Sequence, residues 1–311
     1  MKIFAYWDKP ESIPAYLQLC VATWQIYGDV DAVQLITDAN LHEWIADGVL
    51  DMETLADYPI PQRKDAIEIA MLARYGGLFI DLDTICSAPL SALKEALADV
   101  EIALYGFHLS TVAAQPGSMT VARWLELLQA TLRVPREQLM AATGLTYTEL
   151  GNYSFELLRD ELASGRCATP AERPAKVVRL WRKLLRHRML KYSRQKYIAQ
   201  LDPRGTGYIA EYDHRRQDTL TAKERYQSFW FDPHLPLSAV TAKEAALIGL
   251  HHSWTPAQYS VLGFAELAAD QSLLSRYLRH LLEGYPGMRT GENCAVDLTV
   301  FKAATQQQVL A

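Results

Sequence analysis

Residues 78–83 read LFIDLD, an apolar run of strand length that ends in Asp81 and Asp83, one residue apart. Burying a carboxylate is costly unless a cation sits against it. Two of them at the end of a buried strand therefore need a strong partner. Just upstream, QRKDAIEIAMLARY (62–75) repeats apolar residues at helical spacing, and Gly76 and Gly77 read as the stop of that helix. Helix, glycine stop and apolar strand with polar residues at its C-terminal end is the pattern of an open α/β sheet. Such sheets place their ligands outside the carboxyl ends of the strands.

The flanking segments extend the pattern. KIFAY (2–6) reads as a first strand, and a helix is expected over Ile13–Tyr27 with Leu17, Val21 and Trp24 on one face. AVQLIT (32–37) reads as a second strand, and Asp38 as the N-cap of a helix through DANLHEWI (38–45). Strand, helix, strand, helix implies parallel pairing. Further on, EIALYGF (101–107) reads as a strand and MTVARWLELLQATL (119–132) as a helix. AALIGLHHSW (245–254) reads as a late strand running into a loop, and FAELAADQSLLSRYLRHLL (264–282) as one amphipathic helix. The expectation is an α/β fold with a mixed sheet flanked by helices, one domain over 1–284 and a peripheral tail over 285–311.

Composition narrows the function classes. Half of the 311 residues are apolar, enough for a sizeable core, and a net charge of −5 disfavours nucleic acid as a partner. No apolar run approaches the roughly 18 residues that span a bilayer. The first strand, ended by Asp8, lacks the apolar region of a signal peptide, so a cytoplasmic location is expected. Cys20, Cys86, Cys167 and Cys294 form no CxxC pair, which argues against a zinc site and a disulfide framework. Residues 179–197 hold eight Lys or Arg and no Asp or Glu. That stretch reads either as a basic amphipathic helix on an anionic membrane surface or as a packed helix with its cations in water.

Asp-x-Asp at a strand mouth is a hard-oxygen donor pair, suited to Mg2+ or Mn2+ held together with substrate phosphates. Alone it is a weak motif. LFIDLDTI also matches the haloacid-dehalogenase-like phosphatase pattern, with Asp81 as nucleophile and Asp83 as general acid, but no later paired acidic strand end follows. Each accompanying residue has a plainer reading as well. Asp65 and Glu68 read as a solvated helix face, Trp7 and Trp254 as core aromatics, and His251-His252 as structural histidines.

The order and spacing of Asp65, ten residues, Gly76-Gly77 and Asp81-x-Asp83 resembles the nucleotide-sugar site of a broad glycosyltransferase group. That group includes bacterial capsular polysaccharide synthesis proteins, yeast mannosyltransferases and clostridial glucosylating toxins. YWDKPESIPAYLQLCVATW (6–24), AAQPGS (113–118) and HHSWTP (251–256) are similar to capsular-group signatures. The resemblance implies a GT-A fold, a DXD motif and Mn2+ or Mg2+. It also implies a UDP- or GDP-sugar donor, a glycan or lipid-linked glycan acceptor, and retention of anomeric configuration. An acceptor of that kind would suit a perch at the inner face of the membrane.

By the same resemblance Trp7, next to Tyr6, stacks on the base, and Asp65 binds sugar hydroxyls beside Gly77. Asp81 holds ribose or a metal-bound water, and Asp83 is the principal metal carboxylate. His251, with His252 as competitor, closes the metal shell, while Ser253 and Trp254 donate to the leaving diphosphate. Two positions depart from the group. Glu68 stands where relatives carry an Arg, leaving Arg63, Lys64 or Arg74 to replace the charge, and Phe79 stands in place of Tyr. A sugar-nucleotide-binding module without turnover is the third reading.

Overall fold

The computed structural model describes residues 1–104, 109–143, 149–164, 198–200, 206–207, 220–242 and 245–283. The basic stretch 179–197 and the expected tail 285–311 lie outside the described residues. Strand β1 (Lys2–Tyr6) sends Ile3 and Ala5 to one face and Phe4 and Tyr6 to the other, the two-residue period of a pleated strand. All four are buried, so both faces of the sheet are covered. β1 pairs in parallel with β2 (Ala32–Ile36), reached through α1 (Ala15–Tyr27). It also pairs in parallel with β3 (Gly77–Ile80), reached through α2 (Leu41–Trp44), α3 (Met52–Ala56) and α4 (Ile60–Tyr75).

After β4 (Thr84–Cys86) and α5 (Ser91–Ala98), β5 (Ile102–Leu104) and β6 (Thr111–Ala114) extend the sheet antiparallel to each other. α6 (Met119–Leu132), α7 (Arg136–Thr143) and α8 (Glu149–Ser164) then precede β7 (Ile198–Gln200), β8 (Thr206–Gly207) and β9 (Leu247–Gly249). The main sheet runs β2-β1-β3-β6-β5-β7, and a smaller sheet runs β4-β9-β8. The result is a mixed α/β architecture flanked by helices, as the sequence pattern indicates. One core packs the sheet against α4, α6 and α8. The other packs it against α1 and the late helices Ala222–Trp230, Phe264–Ala269 and Leu273–Leu282.

Several local expectations shift. The strand stops at Ile80, and Asp81 to Asp83 form a turn in which the Thr84 N–H donates to the Asp81 carbonyl at 3.1 Å. α1 starts at Ala15 rather than Ile13, because Pro14 precedes it. Asp38 caps no helix. Asn40 holds the N-cap position and accepts the Thr37 N–H, while Asp38 accepts hydrogen bonds from the Tyr6 hydroxyl and Arg63. The helix expected over 264–282 is broken in two around Asp270–Ser272. There Asp270 accepts the Tyr259 and Ser272 hydroxyls, and Ser272 accepts the Ser275 N–H, local bonds that compete with a continuous helix. Gly76 ends α4 as expected, at φ +61°, with no room for a side chain: a Cβ would lie 2.5 Å from the Pro116 nitrogen.

Candidate functional site

The acidic strand tip meets a cation, and it is Lys64. α4 runs behind β3 and directs Lys64, Asp65 and Glu68 toward the end of that strand. The Lys64 ammonium lies 2.7 Å from Asp81, 2.8 Å from Glu68 and 3.7 Å from Asp65. Glu68 is 0% exposed and Asp65 is buried, which overturns the plainer reading of this pair as a solvated helix face. Burial works against the Lys64 charge, but Asp81 and Glu68 outweigh it and hold the ammonium above its ordinary value.

One ammonium cannot balance three neighbouring carboxylates, and a fourth, Asp83, stands next to Asp81. Burial pushes Asp65 up to about 7, against the pull of Lys64, and raises Glu68 well above its usual range. Burial and then the Asp81 charge raise Asp83. Ionised together these groups carry a surplus of negative charge, which only protons or a further cation can relieve.

The far end of the chain is delivered to this tip by strand pairing. β4 and β9 are antiparallel with Thr84 opposite Gly249, so Asp83 faces Leu250, and the Leu250 N–H donates to the Asp83 carbonyl at 2.8 Å. The next residues reach the carboxylate itself: the His252 N–H donates to Asp83 Oδ2 at 2.7 Å. The His252 ring sits 2.5 Å from the Tyr16 hydroxyl through Nδ1 and edge-on to Trp7 at 5.6 Å. Burial lowers its pKa, favouring the neutral, metal-binding form of the imidazole. His251 packs on Trp254 at 4.1 Å between ring centroids and against Tyr226 at 5.6 Å.

Trp7, Asp65, Asp81, Asp83, His251, His252, Ser253 and Trp254 thus gather at one end of the sheet. Ser253 is exposed there, and Trp254 is held through its carbonyl by Gln227. The Trp7 indole N–H donates to Ser12. Tyr6, the last residue of β1, stands at the same end with its hydroxyl turned aside, whereas Gly77 does not join them. The Tyr6 hydroxyl lies between Asp38 and Arg63, and Gly77 sits at the opposite end of β3, where a Cβ would lie 2.7 Å from the Lys2 carbonyl. Of the three cations considered as replacements at position 68, Arg63 bonds Tyr6 and Asp38, Arg74 bonds the Trp44 carbonyl, and only Lys64 reaches the acids.

Sequence reasoning missed two supports. Tyr16 orients His252, and Gly151 on α8 lies so close to Asp65 that a Cβ would stand 2.6 Å from its Oδ2. Neither carries a sequence signal, since each acts through a residue remote in the chain.

Asp81 and Asp83 offer hard oxygens beside a negative surplus, with the histidine loop bonded to Asp83 through its backbone, and carboxylate oxygens of this kind fit Mn2+ or Mg2+. Among the described residues no three carboxylate, imidazole or thiol side chains converge as a complete cage. Mg2+-type sites commonly use one or two carboxylates with substrate phosphates supplying the rest.

Fold and site define the class: a mixed α/β protein with a cluster of charged side chains at the carboxyl ends of its sheet. The family model for capsular polysaccharide synthesis proteins matches residues 1–158, and the chain belongs to that family. No curated protein matches the chain in sequence. Two solved structures are distantly similar in shape. The PaToxG glycosyltransferase is 11% identical, with 62% of this chain and 77% of that one covered and a TM-score of 0.37. An active-site mutant of LgtC is 10% identical, with 93% and 98% covered and a TM-score of 0.38.

Proposed function

We propose that the protein transfers a sugar from a UDP- or GDP-sugar to a hydroxyl of a cell-surface or lipid-linked glycan, with retention, at a GT-A-like DXD site loaded with Mn2+ or Mg2+. The observation that carries this reading is the acid surplus at the strand tip, three carboxylates around one ammonium with Asp83 beside them, docked against a histidine loop from the other end of the chain.

In this reading Asp81 and Asp83 hold the cation, with His251 or His252 completing its shell. Bound there, a divalent ion neutralises charge on a leaving diphosphate. Trp7 offers its indole face to the base, Asp65 binds sugar hydroxyls, and Ser253 and Trp254 donate to the diphosphate. The departing diphosphate takes the acceptor's proton, so no dedicated base is required and the rate comes from orientation and electrostatic support. The basic stretch 179–197 meets anionic lipid at the cytoplasmic face of a membrane; among the described residues no helix is long and apolar enough to cross one.

A thermal-shift screen of nucleotide sugars tests the reading, because a ligand that binds only the folded state raises its stability. One UDP- or GDP-sugar should raise the melting temperature with Mn2+ present and lose that effect on chelation. If no nucleotide sugar shifts it, and simple phosphomonoesters are hydrolysed instead, the phosphatase reading replaces this one.

A further inference from the structure

Lys64 already holds Asp81, one of the two carboxylates read as metal ligands. Its ammonium contacts Asp81, Glu68 and Asp65, donates to the Leu109 carbonyl, and stands 5.7 Å from the centre of the Phe79 ring. Of the three protons of an ammonium, one goes to the Leu109 carbonyl, while Glu68, 2.8 Å away, is held by charge, neither of its oxygens receiving a hydrogen bond among the described residues. Lys64 is 12% exposed, and Glu68, one helical turn on, is fully buried with Lys64 as its ion-pair partner among the described residues. The anion at position 68, an exchange of sign relative to the resembling group, therefore serves to keep Lys64 in place.

We propose that Lys64 is a resident counter-ion that occupies Asp81 in the empty protein and yields it to a divalent cation only when a nucleoside diphosphate arrives with the metal. The inference rests on the reading of Asp81 and Asp83 as metal ligands. A divalent ion on Asp81 would stand within a few ångströms of the ammonium, and in a half-buried site that repulsion is poorly screened. The diphosphate brings the negative charge that cancels it. Lys64 need not leave the site, because Glu68 and Asp65 retain it while its flexible stem swings the ammonium away from Asp81. Metal and nucleotide then bind synergistically, and by linkage each tightens the other by the same factor.

The test is Mn2+ binding, measured by the EPR signal of free Mn2+, to the wild type, Lys64→Met and Lys64→Met/Glu68→Gln, each alone and with saturating UDP or GDP. The double variant removes both members of the buried pair, so it keeps the test decisive if the single variant fails to fold. The wild type should bind Mn2+ about tenfold or more tightly with nucleotide than without. The neutralised variants should bind Mn2+ alone about tenfold more tightly than the wild type, with the nucleotide effect shrunken in proportion. A merely structural Lys64 would not raise metal affinity on removal. Variants that bind Mn2+ alone no better than the wild type overturn the inference while leaving the metal site intact. A wild type that takes up no Mn2+ with either nucleotide overturns the metal-site reading itself.

Discussion

Asp65 shows how burial and charge compete at one side chain. Burial lifts its carboxyl to about 7, while the nearby Lys64 pulls the other way. A carboxyl whose folded pKa is raised binds a proton more readily in the folded chain than in the unfolded one. Its contribution to stability is therefore fully present below the unfolded pKa near 4 and is lost as pH rises through about 7. In metal-free buffer the wild type should lose stability between pH 5 and 7.5, by at most about 1.4 kcal/mol per pH unit for this one group. Asp65→Asn should show a flatter urea-denaturation profile over the same interval. An unchanged slope in the variant would mean that Asp65 is ionised throughout. The Asp81-x-Asp83 pair was legible as a weak hard-oxygen motif at a strand end, and Asp65 became a candidate only through the resemblance to the glycosyltransferase group. Lys64 was named as one of three cations that could replace the charge missing at position 68, but its pairing with these acids was not legible until β3 is laid beside α4.

Element packing fixes where Asp65 can point. The α8 backbone approaches it at Gly151, leaving space for a hydrogen and nothing larger. Two effects oppose each other on substitution. Alanine gains up to about 1 kcal/mol over glycine in a helix interior, whereas overpacking a tight contact costs about 1–3 kcal/mol. Gly151→Ala should therefore lower the unfolding free energy by about 1 kcal/mol or more in urea titrations, and it should weaken donor binding by displacing the Asp65 carboxylate. An equally stable or more stable variant would show that α8 can retreat freely. Helix 119–132 keeps the bounds expected from its sequence, and the structure adds the Ser118 side chain as its cap. The 264–282 stretch misled, since its apolar spacing continues across Asp270–Ser272 although the side chains there satisfy the backbone locally. A periodic pattern records which face is buried, not whether one rod carries it.

At the scale of the molecule, residues 1–158 match the family model and contain the acidic tip, but they do not make the whole site. The histidine loop arrives only through β9, and one of the two cores is built from α1 together with residues between Tyr226 and Leu282. A fragment ending at 158 should leave the α1 face bare. It should bind a hydrophobic dye and unfold without a cooperative transition, whereas a sharp transition would mean that the first half is self-sufficient. The late pairing was only partly visible in sequence: HHSWTP could be noticed, but its approach to Asp83 depends on the register of two three-residue strands. In the proposed reaction the Asp81 and Asp83 tip, with a divalent cation, supports departure of a nucleoside diphosphate from a sugar. The most direct test is to measure nucleoside diphosphate release from UDP- and GDP-sugars by the wild type and Asp83→Asn, each with Mn2+ and with chelator. Metal-dependent release that falls at least about a hundredfold in Asp83→Asn, with an unchanged circular dichroism spectrum, is the predicted result. Equal release by both proteins, or release that persists in chelator, would contradict it.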